Sequence, residues 1–304
     1  MKRLFDIEEG IGNELNQISD EFLIKTNSSA NYKILRLIAG STNVTNKFTR
    51  DNFSLSKNYL GLFYHIDESK SLEQNIAEIL GENTTVEDLK TFLFDQRFIR
   101  RNSDFFSDLE NEFCNFLIYQ HKGSYTTAFV FLYRILEFVS LSFPLIYASN
   151  TYDFKHTYGS LKDIFDGNVG GSKGELGFFK SAINVMFKDS DLMQVSIDIN
   201  LEGIPNNDIV YKSISSLFKN DFFHDDTVEN SKISINFGEV SSFIITIRNR
   251  FFHFFNRGDK NLQSTDVIDS DYFFSIINEA LFLWICVVFI EINKFLLEEY
   301  ERYK

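Results

Sequence analysis

The chain has 304 residues, of which 44% are hydrophobic and 24% charged, so it can bury a substantial core and is not a disordered polypeptide. Two cysteines, Cys114 and Cys286, exclude a disulfide scaffold and a cysteine-rich zinc site. Thirty basic residues against 43 acidic ones give a net charge of -13, which excludes a generally basic nucleic-acid coat and requires any RNA handling to use a local basic site. Only two prolines among 304 residues leave long uninterrupted elements open, and an all-α architecture is expected. The N-terminal run Met-Lys-Arg-Leu-Phe-Asp-Ile-Glu-Glu meets acids before an apolar stretch builds. No export signal is read there, and a cytoplasmic protein without a membrane partner is expected.

Residues 1–102 are polar and weakly periodic and are expected to form an N-terminal helical region of unknown role. Short helices fit Leu72 to Leu80 and Val86 to Phe94. The second is preceded by Thr84 and Thr85 and carries Glu87 and Asp88 in its first turn, where acids suit the helix dipole. Arg97, Arg100 and Arg101 form a basic cluster, read either as a solvated helix end or as a phosphate-contacting edge.

Residues 103–304 are expected to form the main domain. Phe105, Leu109, Phe113, Phe116 and Leu117 recur at helical spacing, Gly123 breaks the pattern, and a second helix runs from Tyr125 to Phe143, with Pro144 ending or kinking it. Arg134 and Glu137 lie within that apolar stretch and are expected to be paired or to point into a site.

Residues from about 150 to 235 read as an insertion. The Gly-rich segment 166–174 lacks the Gly-Lys-Ser/Thr order of a P-loop and reads as a flexible loop. Val195 to Leu201 and Ile233 to Phe237 alternate, and together predict a small β-ribbon. Further helices are expected from Val240 to Asn256, ended by Gly258, and from Asp271 to Tyr300. The apolar run Ala280 to Ile290 is too short to span a bilayer and reads as buried helix.

The segment that carries chemistry is Arg248-Asn249-Arg250-Phe251-Phe252-His253-Phe254-Phe255-Asn256-Arg257. At 100° per residue, Asn249, Arg250, His253 and Arg257 gather on one helix face, while Ile244, Ile247, Phe251, Phe254 and Phe255 supply the core side. Arg248 stands about 140° from His253, so the two flank a cleft rather than touch. Histidine takes and gives protons near neutral pH, and arginine supplies a permanent charge and a planar fork for phosphate oxygens. Attack by an RNA 2′-hydroxyl on its own phosphodiester uses both and needs no metal.

Arg248-Asn249-x3-His253 resembles the R-x4-6-H signature of the HEPN superfamily (higher eukaryotes and prokaryotes nucleotide-binding), with the favoured Asn after the Arg. Requiring that Asn lowers the chance expectation of the motif to roughly 0.02 per chain. The stretch from Ala128 to Glu137 is similar to an early helix of that family, in which an acidic residue stands near the pocket.

The resemblance covers residues 103–304 less the insertion. It implies a HEPN-like helical bundle and a metal-independent endoribonuclease of the toxin, abortive-infection or CRISPR-effector kind, without a cofactor. It casts Arg248 and His253 as the catalytic pair, with Asn249 orienting the histidine or contacting phosphate. Arg250, Arg257 and Glu137 become substrate-binding candidates, Glu137 either orienting Arg248 or Arg250 or forming a plain salt bridge with Arg134. It implies an RNA substrate, a homodimer with a composite active site, and an antitoxin or activating partner.

Two alternatives stay open: a catalytically silent HEPN-like module that binds RNA or protein, and an interaction scaffold with no RNA role. Lys219 to His224 repeats the motif's spacing, as a degenerate second motif or by coincidence in a Phe- and Asn-rich chain.

Overall fold

The computed structural model describes residues 4–10, 18–96, 100, 102–150, 157–162, 175–188, 190–219, 222–252, 261–262 and 266–302, the side chains of 150 and 175–178 excepted. The chain is mostly helical and forms two compact units, Met1–His121 with Ile285–Lys304, and Lys122–Trp284.

The first unit contains a three-stranded antiparallel sheet of β1 (Phe5–Glu9), β2 (Thr42–Asn46) and β3 (Asn52–Leu55), in that order. Ile7 stands opposite Val44, and Val44 opposite Phe53, and these residues line the buried face while Glu8 and Ser54 point to solvent. The sheet corrects the expectation of a wholly helical region over residues 1–102. Its strands span only four or five residues, too short for a period-2 signal to stand out from acidic, Asn-rich surroundings.

Helix α1 (Ala30–Ala39) starts where Ser29 Oγ accepts from the backbone N–H of Tyr32 and stops at Gly40, whose φ of +80° favours glycine. Helices α2 (Leu72–Leu80) and α3 (Val86–Phe94) have the predicted bounds. Each opens with a reciprocal capping box, Ser71 with Gln74 and Thr85 with Asp88. Ser71→Ala should cost about 1 kcal/mol, read as a lower urea midpoint at unchanged slope. An unchanged midpoint would show that the cap contributes nothing to the cooperative unit.

Helix α4 (Ser103–His121) packs on α1 within the first unit. Leu109, Phe113, Phe116 and Leu117 are buried as their spacing predicts, with Phe106 rather than Phe105 in the core. The same unit holds a largely buried ion pair. Arg36, 1% exposed, donates from Nη1 and Nη2 to the two Glu9 carboxylate oxygens at 2.8 and 2.7 Å. Glu9 Oε1 also accepts from the backbone N–H of Ile24, and the Tyr32 hydroxyl donates to the carbonyl of Phe22.

In the second unit, α5 (Tyr125–Asn150) begins after Gly123, which holds φ +72°. The helix continues through Pro144 instead of ending there. A proline costs the helix one backbone hydrogen bond, and Phe143 and Ile146, buried on either side of it, keep the segment anchored to the core. The unit also holds α6 (Glu175–Met186), β4 (Ser196–Asn200), α7 (Asn207–Ser215), β5 (Lys232–Asn236) and α8 (Val240–Phe252). Strands β4 and β5 form the predicted antiparallel ribbon, with Ile197 opposite Ile235 and Ile199 opposite Ile233. The Gly-rich segment 166–174 lies outside the described residues.

Helix α9 (Ser270–Arg302) contributes residues up to Trp284 to the second unit and the remainder to the first. Trp284 is fully buried, donates from Nε1 to the carbonyl of Phe237 at 3.0 Å, and meets Phe179 edge-on. In the first unit Phe289 packs against Phe106 and Phe113. Much of the phenylalanine excess is spent on such ring contacts, which add to simple area burial. By length and composition both α5 and α9 are apolar enough to cross a bilayer, and 56% and 72% of their most apolar windows are buried inside the fold. Ala280 to Ile290 is thus one stretch of a 33-residue helix.

Candidate active site

Helix α8 is oriented by its apolar side. Val240, Phe243, Ile244 and Ile247 are fully buried, which turns Arg248 and Asn249 toward the surface, Asn249 exposed and Arg248, like Arg250, half-buried. The Arg248 guanidinium lies over the ring of Tyr133 on α5, 4.8 Å from its centroid. Its Nη1 donates to Asn249 Oδ1 at 2.9 Å. One turn along α8, Phe252 stacks on Phe129 at 6.3 Å with an interplanar angle of 6°.

These four residues form a ladder. Phe129 and Tyr133 are i,i+4 neighbours on α5, Arg248 and Phe252 are i,i+4 neighbours on α8, and the two pairs meet in opposite chain directions. A ring face attracts a cation, and a flat guanidinium can stack on it. Phe252 remains 41% exposed beside it.

Asn249 therefore serves Arg248 as hydrogen-bond acceptor. Arg250 packs inward. Its Nη1 is buried without a hydrogen-bond partner among the described residues, while its carbonyl accepts from the N–H of Leu262 at 3.1 Å. His253, Arg257 and the helix end expected near Gly258 lie outside the described residues.

Glu137 is exposed one turn beyond Tyr133, and its carboxylate makes no hydrogen bond or ion pair among the described residues, neither to Arg248 or Arg250 nor to Arg134. Arg134 is likewise exposed, so both charges of this apolar helix point outward rather than into a core site. What the structure sets against Arg248 is the ring of Tyr133, a residue that sequence reasoning passed over. Its one signal is the i,i+4 spacing to Phe129 and Glu137.

At the echo of Lys219 to His224, the Phe222 N–H donates to the carbonyl of Lys219. Phe223 bridges to Ile235, the His224 N–H donates to the carbonyl of Ser234, and its Nδ1 accepts from the N–H of Asp226. Asn220 and Asp221 lie outside the described residues, as do Arg97, Arg101 and His156. Arg100 and His65 are exposed, and His121 stacks on Phe53. Among the described residues no group of three His, Cys, Asp or Glu side chains is placed to hold a metal ion.

No protein-family model, curated protein or solved structure matches this chain.

Proposed function

We propose that this protein is a metal-independent endoribonuclease with a HEPN-like helical domain, working as an antiviral-defence or toxin effector. The observation that carries the reading is the posture of Arg248, stacked on Tyr133 and bridged to Asn249, with the exposed ring of Phe252 one turn away. An arginine held in this way suits a phosphate, and an exposed ring beside it suits an unpaired base of single-stranded RNA.

In this reaction His253 takes the proton of a ribose 2′-hydroxyl, and the 2′-oxygen attacks the adjacent phosphorus. Arg248 stabilises the charge on the phosphorane. The bond from phosphorus to the 5′-oxygen then breaks and that oxygen receives a proton, leaving a 2′,3′-cyclic phosphate and a 5′-hydroxyl.

Purified protein incubated with end-labelled total RNA in EDTA should cleave it, and His253→Ala and Arg248→Ala proteins should not. Cleavage that strictly requires magnesium would overturn the mechanism. RNA binding at low salt with no cleavage by any of the three would favour the silent binding module.

A further inference from the structure

We infer that the first unit binds a single internal water molecule in a cavity between α1, α2 and α3, where it joins Arg36 to Glu73. Tyr32 and Arg36 line this cavity from α1, Glu73 and Ile76 from α2, and Leu93 from α3. Arg36 and Glu73 are only 1% and 6% exposed, and each brings one unspent polar atom. Arg36 donates from Nη1 and Nη2 to Glu9, but its Nε is buried with no hydrogen-bond partner among the described residues. Glu73 Oε1 accepts from the backbone N–H of Ser19 at 3.1 Å, but its Oε2 is buried and has no such partner among them. A charged donor and a charged acceptor therefore line one cavity, and leaving either unsatisfied away from water is costly.

Size and charge select the occupant. The cavity measures about 10 Å³. That is close to the least volume that holds one water molecule, and too little for an organic ligand. An anion suits Arg36 Nε but meets the Glu73 carboxylate, and a cation suits Glu73 Oε2 but meets the guanidinium. Water is neutral, accepts from the Nε–H and donates to Oε2, so it satisfies both groups at once. Bound in this way, it extends the Glu9–Arg36 ion pair to Glu73 and ties β1, α1 and α2 into one polar chain. Glu73 Oε1 carries that chain on to the backbone at Ser19.

Neither Arg36 nor Glu73 belongs to the candidate active site, so the inference stands apart from the nuclease reading. A high-resolution crystal structure of the full-length protein should show a water within about 3.2 Å of both Arg36 Nε and Glu73 Oε2. In solution, magnetic relaxation dispersion of the water oxygen counts long-lived internal waters. Glu73→Met puts apolar atoms in place of Oε2 and should lower that count by one against the parent. Glu73→Gln keeps an acceptor oxygen and should leave it unchanged. Melting curves establish that the compared proteins are folded, and if Glu73→Met is not, the electron density of the parent decides. A direct hydrogen bond between Arg36 Nε and Glu73 Oε2, a dry cavity, or equal counts for the parent and a folded Glu73→Met protein overturns the inference.

Discussion

Alanine at Arg248 is expected to lower single-turnover RNA cleavage by about 10²–10³-fold, the usual loss when one pre-set charge-stabilising donor is removed. Stability should change little. The side chain is half-buried, and its stack on Tyr133 is worth only about 0.5–1 kcal/mol at such a site. Arg248→Lys keeps the charge but loses the planar fork, the hydrogen bond to Asn249 in its present geometry and the flat stack, so it should recover only part of the rate.

Tyr133→Leu is the discriminating variant. It leaves every charge in place and removes the ring on which the guanidinium rests. If Tyr133 positions Arg248, the variant should lower the cleavage step more than RNA affinity. If the ring is plain packing, the melting temperature should fall and the rate at saturating RNA should not. Arg248→Ala protein cleaving at the parental rate would remove this arginine from the chemistry.

Glu9→Ala should destabilise the protein by about 3–5 kcal/mol, because it leaves a buried guanidinium without its carboxylate. The order of effects within the pair is itself a prediction. Arg36 is 1% exposed and the Glu9 side chain 29%, so the glutamate can turn to water when its partner is lost and the arginine cannot. Arg36→Met should therefore cost less than Glu9→Ala, and the double variant Glu9→Leu with Arg36→Met less than Glu9→Ala alone. Urea unfolding of the three proteins tests this. A larger loss for Arg36→Met than for Glu9→Ala would refute the desolvation argument.

Features written into contiguous residues were legible in advance. Helices α2 and α3 match their expected bounds because Ser71 with Gln74 and Thr85 with Asp88 mark the starts chemically. Gly123 separates α4 from α5 at a positive φ, and the alternation about Ile197 and Ile235 foretold the ribbon. What stayed hidden depends on partners distant in the chain. Glu9 and Arg36 come together only because β1 and α1 share a unit. Tyr133 becomes a seat for Arg248 only when α5 and α8 run side by side in opposite directions, and no spacing within one helix reveals that. The motif fixed the identity of Arg248 and Asn249 but not their mutual hydrogen bond, since neighbours in a helix need not face one another. At Pro144 the local rule left both an end and a kink open, and the helix runs on with Phe143 and Ile146 buried on either side.

The division of α9 between the units bears on synthesis. Phe106 and Phe113 in one unit, and Phe179 and Phe237 in the other, complete their packing on rings of α9. At ribosomal speed the residues between α5 and α9 take on the order of ten seconds to emerge. Through that interval neither core can close, and the apolar flanks of α4 and α5 must wait in the open. The nascent chain is therefore a natural client for a holding chaperone, and the two units should gain protease resistance together, once α9 has emerged, rather than in succession.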